Sequence, residues 1–370
     1  MTVLVLNCGS SSLKYEVVDV AAAAHVASGV VERISEHGEA LVRAVSELED
    51  AGALADVTAV GHRVVMGGRE FDRATVIDDR VVATIDALAE LAPLHNPANL
   101  AGIRFARSRF ADVPHVAVFD TAFFHGLPPA AATYALDRDI AATWAIRRYG
   151  AHGTSHRFVS GVAADFLGLD TRSLRQIVLH LGNGASASAI AGGAPVDTSM
   201  GFTPLEGLVM GTRTGDIDAA VVVHLLRHAG LSVDEIDDVL NHRSGLRGLA
   251  GTNDLRDVHR LVADGDAHAR LALDVYVHRL RKYVGAYAAV LGGLDVLTFT
   301  AGAGEHDAAL RAETCAGLGF LGIDVDAARN ESPSRDARRI SPDGAPVDVL
   351  VVPTDEELQI ALETDAVLAG

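Results

Sequence analysis

The sequence predicts an α/β fold in two domains, each built on a sheet covered on both faces. Three observations carry that prediction. Five short, valine-rich apolar runs each stop abruptly at polar or glycine-rich residues, helical periodicity fills the stretches between them, and two of the strand–glycine-loop units have the same form. A length of 370 residues suffices for two cores at roughly 150 residues per domain.

The runs are Val3–Leu6 before NCGSSS, Val116–Phe119 before Asp120, Ile177–Leu181 before GNGAS, Val296–Thr300 before AGAGE and Val349–Val352 before PTDEE. Each reads as a buried strand, and each polar loop follows a carboxyl end, where open α/β sheets bind ligands. Asp218–Ala229 has helical periodicity and stops at Gly230, after which Ser232 and Glu235 have the spacing of a capping box. Asp266–Leu291 is the longest predicted helix; Tyr276, Leu280, Tyr283, Val284, Tyr287 and Leu291 form a core or subunit-interface stripe. Asp170–Arg175 and Glu331–Pro342 read as loops. The N-terminus reads as a strand and not a signal peptide. Tyr283–Gly304, the longest weakly charged segment, is interrupted by Gly292, Gly293 and Asp295, and reads as a helix end plus a buried strand rather than a membrane span.

Lys and Arg number 31 against 49 Asp and Glu, a net charge of −18. Such a chain repels phosphate backbones and anionic lipid, so neither nucleic acid nor membrane is an expected partner. Two cysteines, Cys8 and Cys315, allow no disulfide framework and suit a reducing cytoplasm. An anionic substrate must then be caught by a few local cations. Arg63 and Arg213 lie among glycines and apolar residues, with Asp216 the sole nearby carboxylate, beyond a turn from Arg213. The planar guanidinium fork suits carboxylate or phosphate.

No G-x-x-x-x-G-K-[ST] occurs, which excludes a P-loop kinase. Gly182–Ala187 matches G-x-G-x-x-A, but an alternating strand and a Gly192-Gly193 turn follow, so a hairpin replaces the helix a dinucleotide fold requires. A glycine hairpin can still turn backbone N–H groups toward phosphates. The NCGSSSLK loop adds serine hydroxyls and Lys14 to the same device. His152 and His156 flank Gly153 with no third ligand near, which favours hydrogen bonding over zinc. Asp120, Glu356 and Glu357 follow buried strands; they read either as N-cap or helix-start charges, the usual role for a residue placed like Glu356, or as the one or two oxygens of a magnesium–nucleotide site.

NCGSSSLK, GHRVVMGG, FDTAFF, GAHGTSHR, LHLGNGAS, GTRTGDID, AGAGE and PTDEEL, in this order along nearly the whole chain, resemble the acetate kinase family of the actin-like superfamily. The resemblance implies two duplicated actin-like, ribonuclease H-like domains with a nucleotide cleft between them: residues 1–124 plus 356–370, and residues 125–355. It implies reversible phosphorylation of acetate by ATP, giving acetyl phosphate and ADP, with Mg2+ (or Mn2+ in its place), by a cytoplasmic homodimer. By the same resemblance Asn7 and Glu356 serve magnesium, and Ser10, Ser12 and Lys14 approach the nucleotide phosphates. Arg63 and Arg213 hold the acid and the phosphoryl group in flight, Asp120 matches the catalytic acidic residue, and His152 matches a transition-state stabiliser. His180, Leu181, Gly182, Asn183 and Gly184 cradle phosphates. Asp254, Leu255 and Arg256, with Gly302, Ala303, Gly304, Glu305 and His306, bind the adenosine side, and Val65, Leu94 and Pro204 line a methyl pocket.

Four positions, in three motifs, depart from the family pattern. Ala151 stands where phenylalanine is common, which predicts a roomier acyl pocket and better acceptance of propionate. Ala303 and His306 replace the usual isoleucine and asparagine, which bears on purine selectivity, and Met66 replaces a histidine. The rival readings are a propionate or butyrate kinase on the same fold and, from another class, a chaperone-like or filament-forming ATPase of the superfamily. The length expected here leaves no room for a chaperone's substrate-binding domain.

Overall fold

The computed structural model describes residues 1–9, 12–32, 37–93 and 95–370; Ser10 and Leu94, both singled out above, lie outside them. Among the described residues the strands are β1 (Thr2–Cys8), β2 (Ser12–Asp19), β3 (Ala24–Glu32), β4 (Ala59–Val64), β5 (Thr75–Val76), β6 (His115–Phe119), β7 (Arg175–Leu181), β8 (Ala185–Ala191), β9 (Ala194–Thr198), β10 (Val296–Thr300), β11 (Arg338–Arg339) and β12 (Asp348–Val351). They form two sheets, ordered β3-β2-β1-β4-β6-β5 and β11-β12-β10-β7-β8-β9. Read from the hairpin side, β3-β2-β1-β4-β6 and β9-β8-β7-β10-β12 are one pattern. Three antiparallel strands are followed by two parallel additions in both. Each sheet ends in a two-residue antiparallel edge strand. The duplication expected from the two similar loops is therefore present in the sheets themselves.

All five apolar runs are strands, and β6 and β10 are buried along their whole length, as parallel strands covered on both faces must be. β4 was not among those runs, because Gly61, His62 and Arg63 interrupt its apolar character. Three stretches read as loops carry regular structure. Asp170–Arg175 holds a single 3-10 turn, Thr171–Ser173, capped by the Asp170 side chain, and the first residue of β7. AGAGE opens the helix Ala301–His306, and Glu331–Pro342 contains β11. The capping box of Ser232 and Glu235 is formed. The long helix runs Ala267–Leu291, with the Asp266 side chain accepting from the His268 and Ala269 N–H groups and Gly292 closing it at φ +65°.

The chain divides into two units: Met1–Gly126 with Ala151–Phe158 and Asp355–Gly370, and Leu127–Gly150 with Val159–Thr354. The segment Ala151–Phe158 falls in a stretch that the sequence reading gives to the second lobe. It joins the first unit because Gly153 N–H donates to the Asp120 carbonyl at 3.0 Å and His156 sits edge-on to Phe124. In that unit β1 alternates cleanly: Leu4 and Leu6 pack with Leu41 and Leu48, while Val3 and Val5 pack with Val116, Val118, Ile360 and Ala361 on the other face. The helix Glu356–Ala369 thus covers one face of the first sheet. Among the described residues no helix is long and apolar enough to cross a membrane. Cys8 and Cys315 are free and buried.

Candidate functional site

Strand register assembles the first group. β1 and β4 run parallel with Leu6 opposite His62, so Asn7 comes level with Arg63. β4 and β6 run parallel with Val64 opposite Phe119, so Asp120 follows one step beyond. β2 returns antiparallel with Lys14 opposite Asn7. Arg63 takes Asp120 in a two-pronged pair, Nε to Oδ1 at 3.1 Å and Nη2 to Oδ2 at 2.6 Å, and its Nη1 donates to Asn7 Oδ1 at 3.1 Å. Burial works against the Arg63 charge, but Asp120 and then Glu356 outweigh it and hold the guanidinium above its ordinary value.

The first turn of the helix Glu356–Ala369 supplies two more carboxylates, with Asp355 capping it by accepting from Leu358 N–H at 2.9 Å. Glu357, 3% exposed, pairs with Lys14 and accepts from Asn7 Nδ2 at 3.4 Å. Glu356 lies 3.5 Å from Arg63 Nε. Burial, offset by Arg63 and reinforced by Asp120, raises its carboxyl above the usual range. Thr154 Oγ1 reaches both Asp120 Oδ1, at 3.2 Å, and Glu356 Oε2, at 3.4 Å. Gly153 before it has to be glycine, since a Cβ there would strike the Asp120 carbonyl. Two carboxylates thus converge on one hydroxyl beside a single guanidinium. Among the described residues no group of three or more His, Cys, Asp or Glu side chains is arranged to hold a metal. The donors present fit a magnesium ion that takes few protein oxygens and keeps phosphate and water for the rest. Asn7 Oδ1 is engaged by Arg63, which fits contact through water better than direct ligation.

In the second unit β7 and β10 run parallel with His180 opposite Thr300, which sets the turn Gly182–Gly184 beside the helix Ala301–His306. A cavity of about 690 Å³ opens there, lined by Gly182, Asn183, Asp254, Leu255, Arg256, Gly302, Ala303 and His306 among others. Asn183 Oδ1 accepts from Asn253 Nδ2 at 3.0 Å, and its carbonyl accepts from Gly211 N–H at 2.9 Å. A Cβ on Gly211 would strike the Asn183 side chain, so the approach requires glycine. Asp254 caps the helix Leu255–Ala263, and its bonds to Arg256 hold its carboxyl down at about 2. On the same wall His259 Nε2 meets Asp307 Oδ2 at 2.7 Å, and that bond raises the imidazole above its ordinary value.

Arg213 lies in this unit too, but its environment differs from that of Arg63. Its Nη1 donates to the Pro204 carbonyl at 3.0 Å and approaches Met210 Sδ at 3.9 Å; among the described residues no carboxylate pairs with it. Burial alone lowers its value. Asp216, the carboxylate nearest in sequence, is committed elsewhere, accepting from Gly207 N–H and the Tyr283 hydroxyl at 3.0 Å each and facing Arg279 at 3.3 Å.

Several residues singled out from the sequence stand apart from these groups. His180, Leu181, Gly184, Gly304 and Glu305 do not line the cavity; Leu181 is fully buried, and Glu305 Oε1 accepts from Thr354 N–H at 3.1 Å. Val65 is buried in the first unit, whereas Pro204 belongs to the second. Ser12 begins β2, with its carbonyl accepting from Gly9 N–H at 2.7 Å. His152 holds φ +58°, ahead of the helix Gly153–Leu167, so it and His156 do not form a helical pair.

Sequence reasoning missed Thr154, Glu357 as a partner of Lys14, and two buried asparagines. Asn99 accepts from Val65 N–H at 3.0 Å and donates to the Cys8 carbonyl at 2.7 Å. Asn96 spans the N–H and carbonyl of Met66. The signal was present in HNPAN, where two asparagines three apart flank a helix-starting proline.

Comparisons with known proteins identify the family. The acetokinase family model matches residues 2–49 and 33–362. Over 395 aligned positions the chain is 55% identical to an acetate kinase of Leifsonia xyli subsp. xyli, covering 100% of this chain and 99% of that protein. A crystal structure of Porphyromonas gingivalis acetate kinase superimposes at TM-score 0.94 with 41% identity, over 99% of both chains. A propionate kinase from Francisella tularensis subsp. tularensis gives 0.93 with 39% identity, again over 99% of both. With likeness of this extent in sequence and in fold, the chain belongs to the acetokinase family.

Proposed function

We propose that the protein transfers the γ-phosphoryl group of ATP to acetate, reversibly, giving acetyl phosphate and ADP. The observation that carries this reading beyond the family likeness is the state of Arg63. Of its five N–H donors, three are taken by Asp120 and Asn7, and among the described residues two are left for an anionic acceptor while the guanidinium is held charged. Acetate is already ionised at neutral pH, so no general base is required. One carboxylate oxygen forms a bond to the γ-phosphorus, the bond to the β–γ bridging oxygen breaks, and ADP leaves with that electron pair.

In the first unit Arg63 takes the acid's carboxylate, and Asp120 orients Arg63 instead of accepting a proton. His152 donates to the charge that develops, Val65 and Leu94 are assigned to the methyl group by the family resemblance, and Lys14 with Ser10 and Ser12 serves the phosphates. In the second unit Arg213, lacking a carboxylate partner, takes the phosphoryl charge, and Pro204 fixes Arg213. The loop from His180 to Gly184 serves the phosphates, while Asp254, Leu255 and Arg256 and the stretch from Gly302 to His306 receive the adenosine side. Glu356, with Asn7 through water, would hold Mg2+, or Mn2+ in its place. When bound, the ion neutralises phosphate charge. We further place the protein in the cytoplasm as a homodimer, a setting in which its two free, buried thiols stay reduced.

A second reading, a kinase for a longer acid, is favoured by one residue. Ala151, 3% exposed, stands where the family pattern commonly has phenylalanine, and a ring bounding the acyl pocket there would make the site of this chain the larger one. Hydroxamate trapping of the acyl phosphate with acetate, propionate and butyrate tests both. We expect kcat/KM for acetate to exceed that for butyrate at least tenfold. A clear preference for a longer acid would move the assignment, and ATP hydrolysis indifferent to carboxylates would remove it.

A further inference from the structure

Arg311 is the largest side chain that the fold buries completely, at 1% exposure, and it forms no ion pair among the described residues. It stands on the helix Ala308–Cys315, and its bonds go to neutral acceptors. Nε donates to Asn330 Oδ1 at 2.8 Å, Nη1 to the carbonyls of Gly304 and Glu305 at 2.9 Å each, and Nη2 to the carbonyl of Asn330 at 2.7 Å. Asn330, itself 3% exposed, donates from Nδ2 to the Ala308 carbonyl at 2.8 Å. Burial, with Arg338 beside it, lowers the guanidinium to about 10, so it remains charged at neutral pH.

An unpaired buried cation is an expensive way to fill a core, and an apolar side chain of similar volume would serve stability as well. What arginine adds is a rigid fan of donors. Here the fan meets a specific need. The helix Ala301–His306 has only six residues, too few to hold itself, and its last carbonyls have no partner within the helix. Arg311 takes the carbonyls of Gly304 and Glu305, and Asn330 takes that of Ala308. Between these tied points lie His306 and Asp307, and just before them Gly302 and Ala303. All four, with Ala308, face the 690 Å³ cavity.

We propose that Arg311, acting through Asn330, is a positioning residue for the nucleotide: it fixes the Gly302–Ala308 wall against which the adenosine end of ATP rests. This rests on the reading of that cavity as the nucleotide site. It makes no contact with the acid or with the transferred group.

The test is Arg311→Lys and Asn330→Ala in the full chain, with calorimetric titration of ADP, the KM values for ATP and acetate, kcat and Tm. Lysine keeps the charge but offers one point where the fork offered four bonds. Arg311→Lys is expected to weaken ADP binding and raise KM for ATP about tenfold, leaving kcat and KM for acetate within twofold. Asn330→Ala, which keeps the bonds to Gly304 and Glu305, is expected to shift the nucleotide constants about threefold. A lower Tm with unchanged nucleotide constants would overturn the proposal, making the pair a structural brace alone. If Arg311→Lys does not fold, Asn330→Ala decides by itself, and unaltered ADP binding there overturns it. A wild-type protein that fails to bind ADP defeats the underlying reading, an outcome distinct from wild-type binding that the variants leave intact.

Discussion

Arg63 and Arg213 look alike in sequence and are opposites in the fold. Arg63 is ion-paired with Asp120, whose side chain is 1% exposed. Removing Arg63 therefore leaves a buried carboxylate uncompensated, at a cost of about 3–5 kcal/mol in stability as well as the loss of acid binding. We expect Arg63→Ala to raise KM for acetate while ATP binding stays near normal, and to denature at distinctly lower urea. Arg63→Ala combined with Asp120→Ala should recover part of that stability but not the activity. Arg213 breaks no ion pair when removed, so Arg213→Ala should stay within about 1 kcal/mol of the parent in stability while losing about 3–5 kcal/mol of transition-state stabilisation in kcat/KM. Equal stability losses in the two variants would contradict the contrast. The candidates themselves were legible, because arginine among glycines in an acidic chain is conspicuous. Their partners were not: Asp120 lies 57 residues from Arg63, and no local spacing encodes that pairing.

At the level of elements, what the sequence disclosed depended on how continuous the apolar run was. β10 could be read to the residue because nothing polar but threonine interrupts it. β4 could not, since the packing that makes it a strand is invisible locally. Gly61 makes room for the final helix, where a Cβ would come 2.7 Å from Thr364 Oγ1. His62 is buried against His115 on β6, with Nε2 and Nδ1 3.0 Å apart. His115 Nε2 donates to the Phe110 carbonyl at 3.0 Å, so its Nδ1 accepts and His62 Nε2 donates, and both rings are neutral. Burial lowers both values below the ordinary 6.5. The unfolded chain then binds protons that the folded one refuses, so stability is full above about pH 6.5 and falls as pH drops below it. His25 on β3 has the reverse sign. It sits between Glu16 and Asp355, and Asp355 then Glu16 raise it against the effect of burial, so its contribution is full below pH 6.5 and fades as pH rises through the raised value. Melting curves from pH 5 to 7 should show Tm falling on acidification. His62→Gln should flatten that slope, and an unchanged slope would assign the acid sensitivity elsewhere.

For the whole molecule, the net charge of −18 and the two sheets of one strand order are the properties that matter. The charge repels acetate and ATP alike at long range, whereas guanidinium contacts act at short range. Raising ionic strength from 0.01 to 0.15 M shortens the screening length from about 30 to about 8 Å. We expect kcat/KM for acetate to rise about two- to threefold over that interval with kcat unchanged; a fall would mean that long-range attraction dominates. The duplication was legible as two glycine loops of like form. The placement of Ala151–Phe158 with the first unit was not, because it depends on Gly153 meeting a carbonyl 33 residues earlier.

The pairing of Lys14 with Glu357 spans 343 residues. A ribosome adding about 5–20 residues per second needs roughly 17–70 s between the two. For the larger part of that interval, once β6 has been made, the nascent first sheet has its strands but not the helix Glu356–Ala369 that covers Val3, Val5, Val116 and Val118. The residues that close this apolar face are thus translated long after the strands that form it. Until they arrive, that valine face is open to chaperones, and to other nascent chains on the same message.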